Sequence, residues 1–235
     1  MLKPWEQLPD FMKIEEVKPY YYRISRRTLS LVVKRTLDFV LSILLTIILS
    51  PVMLIVAIWI KTDSPGPIFY KQMRITQYGK RYRIYKFRTM YHDTRENKQL
   101  ITGKNDSRIT KVGEKIRHSR IDELPQLFNI LKGEMSFVGT RPEVEKYVSM
   151  YTPEMMATLL LPAGVTSIAS IKYKDETEVI DQYTKKGMEI DEIYEKVILP
   201  EKMKFNIEYL NKFGLPGDIK VLFQTVFAVL KKGDH

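Results

Sequence analysis

Two adjacent carboxylates, Asp122 and Glu123, stand in the stretch "SRIDELPQLFNILKG" just after a run rich in lysine and arginine. An ionised carboxylate can act as a nucleophile toward phosphorus, and a neighbouring one can hold Mg²⁺, a hard cation that prefers oxygen ligands. Arg117 and Arg120 precede the pair and favour its ionised form. Lys86 and Arg88, separated by Phe87, share a face if they lie on a strand, and Arg141 follows a glycine turn in "GTRP". Such cations suit the oxygens of a diphosphate, arginine through its planar fork. The same acids also fit a purely structural role. Ser119 and Asp122 have capping-box spacing, Pro125 suits a first helical turn, and acids gain roughly 0.3–1 kcal/mol near a helix N-terminus.

The elements that must carry these residues follow from patterning. The spacing of Leu124, Leu127, Phe128 and Leu131 predicts a helix over 119–133, ending at Lys132-Gly133. Residues around Tyr78-Gly79-Lys80 predict a short hairpin, and "DSPGPIFYKQ" a turn leading into its first strand. Residues 91–108 read as a polar loop, and "EMSFVGTRPEV" as a turn-rich connection. Beyond it lie helical stretches at 143–160 and 190–212, irregular segments around Pro162 to Ile171, and an amphipathic helix in "GDIKVLFQTVFAVLKK". There is no internal repeat.

Residues 39–60, "FVLSILLTIILSPVMLIVAIWI", contain no charge and are long enough to cross a bilayer. Pro51 at the centre removes a helical hydrogen bond to Ile47, and the Ser50 hydroxyl is placed to satisfy the freed carbonyl. Lys34 and Arg35 precede the run; Lys61, Lys71 and Arg74 follow it. Positive charge prefers the cytoplasmic side, so basic flanks at both ends favour a helix that enters, breaks at Ser50-Pro51 and returns. A Pro-kinked spanning helix is the alternative. Residues 1–30 mix aromatics, prolines and charges, which suits either a membrane interface or a mobile arm. They have no signal-peptide pattern.

Composition narrows the chemistry. The 235 residues include no cysteine, which excludes disulfides and thiolate metal sites. His92, His118 and His235 have no zinc-ligand spacing. The net charge is +10, and between residues 71 and 120 fifteen lysines and arginines stand against four acids, an excess of eleven. That excess predicts an anionic partner: nucleic acid, acidic lipid or a phosphorylated small molecule. The P-loop, dinucleotide-binding and nucleophile-elbow signatures are absent.

The segments "KRTLDFV", Ser50-Pro51, "DSPGPIFYKQMR", "YKFRTM", "ITKVGEKIRHSRIDELPQLFNILKGEMSFVG", the following Arg-Pro, and "DIKVLFQTV" together resemble the bacterial sugar transferases of the monotopic phosphoglycosyl transferase superfamily, over roughly 31–235. The size resembles members without a preceding multi-helix membrane domain. The resemblance implies transfer of a phospho-sugar from a UDP-sugar to undecaprenyl phosphate with release of UMP, as the first membrane step of glycan assembly. It implies Asp122 as the nucleophile that becomes phosphoglycosylated, Glu123 as its partner for Mg²⁺ or proton handling, and Arg117 and Arg141 as phosphate-binding residues.

With the patterning it points to an α+β, mainly helical fold with a small hairpin: after an arm over 1–30 read from composition alone, a re-entrant helix-break-helix over 31–62 and a catalytic domain over 63–235 with interfacial helices. The protein would sit on the cytoplasmic face of the inner membrane among its phospholipids, with no nucleic-acid partner. A membrane-anchored basic protein that binds nucleic acid or regulates without catalysis is the rival; it leaves the acid pair and the Ser-Pro step unexplained. Two departures stand out. Thr140 replaces a proline before Arg141, which is expected to loosen that turn. Pro162-Ala163-Gly164-Val165-Thr166-Ser167 differs from the family's usual segment, where sugar choice is expected to be affected.

Overall fold

The computed structural model describes residues 2–92, 106–173 and 176–232. Most of the polar 91–108 segment, with Asp93, Arg95, Glu96, Lys98 and Lys104, lies outside the described residues, as does His235. The fold is mainly helical. Helix α1 (Lys18–Ser25) leads into a 36-residue helix α2 (Thr28–Asp63), followed by the hairpin β1 (Phe69–Ile75) and β2 (Arg81–Phe87). Next come α3 (Lys111–His118), a 3-10 turn over Ile121–Glu123, α4 (Gln126–Leu131), β3 (Met135–Val138), α5 (Glu145–Val148) and β4 (Ala163–Thr166). Helices α6 (Ile168–Lys172), α7 (Glu176–Thr184), α8 (Ile190–Ile193), α9 (Leu199–Asn211) and α10 (Leu215–Lys232) complete it.

The hairpin is antiparallel, pairing Phe69 with Phe87 and Ile75 with Arg81, and its turn places Tyr78 and Gly79 at positive φ. A second two-stranded sheet was not legible. β3 and β4 pair in parallel, Met135 with Ala163 and Val138 with Thr166, where the patterning indicated only turns and irregular chain. Four-residue strands are too short for alternation to show. Their close approach demands glycine. A Cβ on Gly164 would lie 2.2 Å from the Gly139 nitrogen, and one on Gly139 would lie 2.5 Å from the Pro162 carbonyl oxygen. The expected helix over 143–160 divides into α5 and a 3-10 stretch over Glu154–Leu160.

Helix α2 would span roughly 54 Å if straight. It remains helical through Ser50 and Pro51, so the two expected helices joined by a break form one element. Ser50 donates its hydroxyl to the Ile47 carbonyl at 2.8 Å, replacing the bond that Pro51 cannot make. The residues turned toward the rest of the chain follow one stripe: Lys34, Asp38, Ser42, Leu45, Leu49, Met53, Val56 and Ile60. Their steps of three and four are the helical period. The other faces are apolar and exposed, including Leu44, Ile47, Ile48, Leu54, Ile55 and Ile58. Among the described residues this is the one helix long and apolar enough to cross a membrane.

Charged groups fasten its N-terminal part. Lys34 is buried and donates to Asp218 at 2.7 Å and to the Val138 carbonyl at 2.7 Å, while Asp38 accepts from the Phe137 amide at 3.0 Å. Lys34 is therefore an internal ion-pair partner rather than a flanking surface charge. The other end is closed by Phe87, Val112 and Ile116 packing on Met53, Val56 and Ile60. The N-terminal segment packs against the rest of the chain. Leu8, Met12, Val17, Tyr21 and Ile24 enter the largest core cluster, and Trp5 packs on Tyr21 and Tyr22. Tyr21 thus serves protein packing, while Phe11 and Tyr22 remain exposed.

The buried Lys34–Asp218 pair yields a direct stability test. Lys34→Met leaves Asp218 charged and buried, which should lower unfolding stability by about 3–5 kcal/mol. Adding Asp218→Asn should recover part of that loss in detergent-micelle denaturation; an unaltered midpoint for Lys34→Met would reject the role assigned to the pair.

Candidate active site

The acid pair lies where α3 ends and the chain reverses. Thr110 caps α3 by accepting the Gly113 amide at 2.9 Å. At the other end Arg120 adopts φ 59, ψ 13, the left-handed region, which costs a non-glycine residue about 1–2 kcal/mol. The expected capping box does not form. Ser119 ends α3 and donates its hydroxyl back to the Lys115 and Ile116 carbonyls, while Asp122 and Glu123 occupy the separate 3-10 turn before Pro125. The pair is therefore held by a reversal between two helices, and the predicted helix over 119–133 shrinks to α4.

Asn129 fastens that turn to the hairpin. It is fully buried, accepts from the Tyr85 amide at 2.9 Å, and donates to the Arg83 carbonyl at 2.8 Å and to Glu134 at 2.7 Å. This docks α4 on β2 and brings Lys86 to Glu123, with Nζ 2.7 Å from Oε1. Arg120 stands 3.8 Å from the same carboxylate oxygen. Neither Asn129 nor Arg120 was a predicted site residue. The one signal for Asn129 was an amide inside an apolar helix stripe.

Arg88 goes elsewhere. The expected strand alternation would have set it beside Lys86 as a substrate contact. Instead its buried guanidinium donates to Ser64 and Pro65 carbonyls, both at 2.7 Å, and to the Ser64 hydroxyl at 3.0 Å. It closes the C-terminal end of α2, where unpaired carbonyls attract a cation.

Arg141 is enclosed rather than solvent-facing. It donates to Ser170 at 3.3 Å. Burial opposes its charge, but Glu176, Glu123 and Glu143 outweigh that and hold its pKa above the ordinary value. Thr140 is bonded on both sides of the turn. Its hydroxyl donates to the Thr158 carbonyl at 3.2 Å, and its carbonyl accepts from Gly164 at 2.8 Å.

The two acids have unlike environments. Burial pushes the Asp122 pKa up to about 6, with Glu123 adding to the rise and Lys86, Arg117 and Arg120 opposing it. Burial acts on Glu123 in the same direction, but Lys86, Arg120 and Arg141 overcome it and hold that acid at about 2. Glu123 is thus a fixed anion, while Asp122 ionises close to neutrality with less margin than the arginine-rich sequence implied. Among the described residues no hydrogen bond engages the Asp122 carboxylate.

A cavity of about 260 Å³ adjoins the turn. Arg120, Glu123, His118 and Arg141 line it together with Leu45 and Leu49 of α2 and Thr225 and Ala228 of α10. Asp122 is not among its lining residues. Thr166 and Thr225 share a hydroxyl hydrogen bond at 2.7 Å that ties β4 to α10. Titratable side chains and an apolar wall from the lipid-like helix therefore meet at one place, with Asp122 adjoining it in the turn.

The profile of the family described as Bacterial sugar transferase matches residues 29–232. The chain belongs to the bacterial sugar transferase family. It is 33% identical over 204 residues to the UDP-glucose:undecaprenyl-phosphate glucose-1-phosphate transferase of Klebsiella pneumoniae, covering 85% of this chain and 40% of that protein. It is 31% identical over 201 residues to the UDP-N-acetylgalactosamine-undecaprenyl-phosphate N-acetylgalactosaminephosphotransferase of Aeromonas hydrophila, covering 84% and 44%. To the undecaprenyl-phosphate galactose phosphotransferase of Salmonella typhimurium it is 34% identical over 219 residues, covering 86% and 41%. The chain spans less than half the length of these three relatives.

The cations divide between the acids: Lys86 and Arg120 act on both, Arg117 on Asp122, and Arg141 on Glu123. A carboxyl-carbon NMR titration should place the Asp122 midpoint near pH 6. Lys86→Met removes the strongest opposing charge, so the midpoint should move upward; a downward or absent shift would contradict this assignment.

Proposed function

We propose that this chain transfers a phospho-sugar from a UDP-sugar to undecaprenyl phosphate, releasing UMP. The observation that carries the reading is the unengaged Asp122 carboxylate among Lys86, Arg117 and Arg120, beside a cavity walled by α2 and α10. The three relatives act on undecaprenyl phosphate by name, and two of them name a UDP-sugar as well. The glycan that the product enters could be an exopolysaccharide, a capsule, an O-antigen or a glycoprotein.

The chemistry follows from the residues. At pH 7 the Asp122 anion outnumbers its acid by roughly ten to one, and a pKa near 6 retains nucleophilicity. An Asp122 oxygen attacks the β-phosphorus, a P–O bond to the α-phosphate breaks, and UMP departs. An oxygen of the lipid phosphate then attacks the same phosphorus, and breaking of the P–O bond to Asp122 restores the carboxylate. Arg117, Arg141 and Lys86 bind phosphate oxygens, and the fixed charge of Glu123 keeps Lys86 and Arg120 in place.

Mg²⁺ fits the donor set. Among the described residues no group of three or more acids or histidines could hold a metal ion by itself; Asp122 and Glu123 would hold one only with substrate oxygens and water completing its shell. When bound it would neutralise charge on the diphosphate.

We also propose a re-entrant, monotopic placement on the cytoplasmic face of the inner membrane. The two ends of α2 dock on one polar body, through Lys34 and Asp38 at one end and Arg88 at the other. Its outward faces, with those of α10, would meet phospholipid.

Asp122→Asn should reduce UMP release from UDP-sugars plus undecaprenyl phosphate to background and prevent trapping of a phosphoglycosyl-enzyme. Normal turnover would remove Asp122 from the nucleophile role. For topology, Arg26→Cys and Thr62→Cys, each the sole cysteine, should label from the same membrane side; labelling from opposite sides would establish a spanning helix instead.

A further inference from the structure

The cavity beside the acid pair has an apolar portion that phosphate chemistry does not use. Leu45 and Leu49 of α2, Phe137 of β3, Val165 of β4 and Ala228 of α10 line it. α2 and α10 are also the helices whose outer faces expose Ile47, Ile48 and Val52, and Phe223, Val226 and Phe227. The cavity therefore lies between the two elements suited to lipid. Its volume of about 260 Å³ falls below the roughly 300–1,000 Å³ that encloses a drug-sized ligand, so it takes part of a substrate. Arg120 shares the lining. Its side chain is about half exposed; the Glu123 carboxylate 3.8 Å away is already bonded by Lys86, and Arg120 also acts on the Asp122 carboxylate.

We infer that this cavity is the acceptor subsite: its walls take the isoprene units nearest the phosphate of a polyprenyl phosphate, and Arg120 binds that phosphate. The inference rests on the proposed transferase function. Burying a prenyl chain against these walls is favourable, whereas a nucleotide sugar gains little there. A guanidinium is suited to phosphate oxygens. Arg120 precedes Asp122 by two residues, so a phosphate held there lies next to the carboxylate. Asp122 itself is outside the lining; of the three cations that act on it, Arg120 lines the cavity while Lys86 and Arg117 do not, which leaves the side of those two to the donor diphosphate.

Leu49→Trp and Ala228→Phe narrow the cavity while Asp122 and Glu123 are both retained. In the full chain they should raise KM for undecaprenyl phosphate about tenfold, equivalent to 1.4 kcal/mol, with KM for the UDP-sugar changed less than about twofold. Arg120→Gly keeps the positive φ without steric cost and should raise the same KM, and Arg120→Lys should recover part of it. A rise confined to the UDP-sugar KM would assign the cavity to the donor and overturn the proposal. Unchanged constants in variants with wild-type melting temperatures would overturn it as well.

Photo-crosslinking of the wild-type chain with a diazirine-bearing prenyl phosphate needs no variant. Adducts on peptides holding Leu49 or Ala228 support the subsite, and adducts elsewhere reject it. A wild-type chain that forms no UMP with any UDP-sugar would instead count against the transferase function, independently of where the label falls.

Discussion

Lys34 and Asp38 hold a lipid-like helix against a polar body. Most of the surface of α2 is apolar, and without partners nothing would orient it relative to the rest of the chain. Lys34 reaches Asp218 and the Val138 carbonyl, and Asp38 accepts the Phe137 amide. These bonds join the helix to β3 and α10, with Tyr209 of α9 donating to Asp218 at 2.9 Å. Replacing such a pair with apolar residues is often neutral or stabilising, so its value here is registration rather than bulk stability. Sliding or rotating α2 would bury an unpaired charge. The position of Leu45 and Leu49 at the cavity follows from that registration.

The acid pair shows the same competition between burial and charge. Burial opposes ionisation of both residues, but three cations overcome it at Glu123 and fail to overcome it at Asp122. Adjacent carboxylates thereby separate into a permanent anion and a group that titrates near neutrality. Divergent pKa values in one pair are how a site assigns different roles to the same chemical group. The strained backbone of Arg120 belongs to this arrangement, because the reversal it makes lets Asp122 and Glu123 stand between α3 and α4.

Much of this was legible before any coordinates. The apolar run, the hairpin around Tyr78-Gly79, the helical tail and the cation-rich surroundings of Asp122 rest on local pattern, and each has its counterpart in the fold. What failed had distant causes in some places and competing local bonds in others. Arg88 alternates correctly with Lys86, yet the unpaired carbonyls at the end of α2 take it away from the site. Ser119 has capping spacing, but α3 claims its hydroxyl first. The N-terminal aromatics carry no periodicity that distinguishes a membrane interface from a protein core.

Sequence alone determined the chemical inventory: an acid pair, a local cation excess, no thiols, and a charge-free stretch with a Ser-Pro step. Those properties follow from residue identity and short spacing, so they are readable in one dimension. The family resemblance rests on the same kind of local motif. Tertiary structure decided which cations face which acid, that the helix persists through Pro51, that Glu123 rather than Asp122 opens on the cavity, and that α10 supplies part of its wall. These depend on desolvation and on three-dimensional contacts, from Lys86 with Glu123 across 37 positions to Lys34 with Asp218 across 184, which neighbouring sequence does not display.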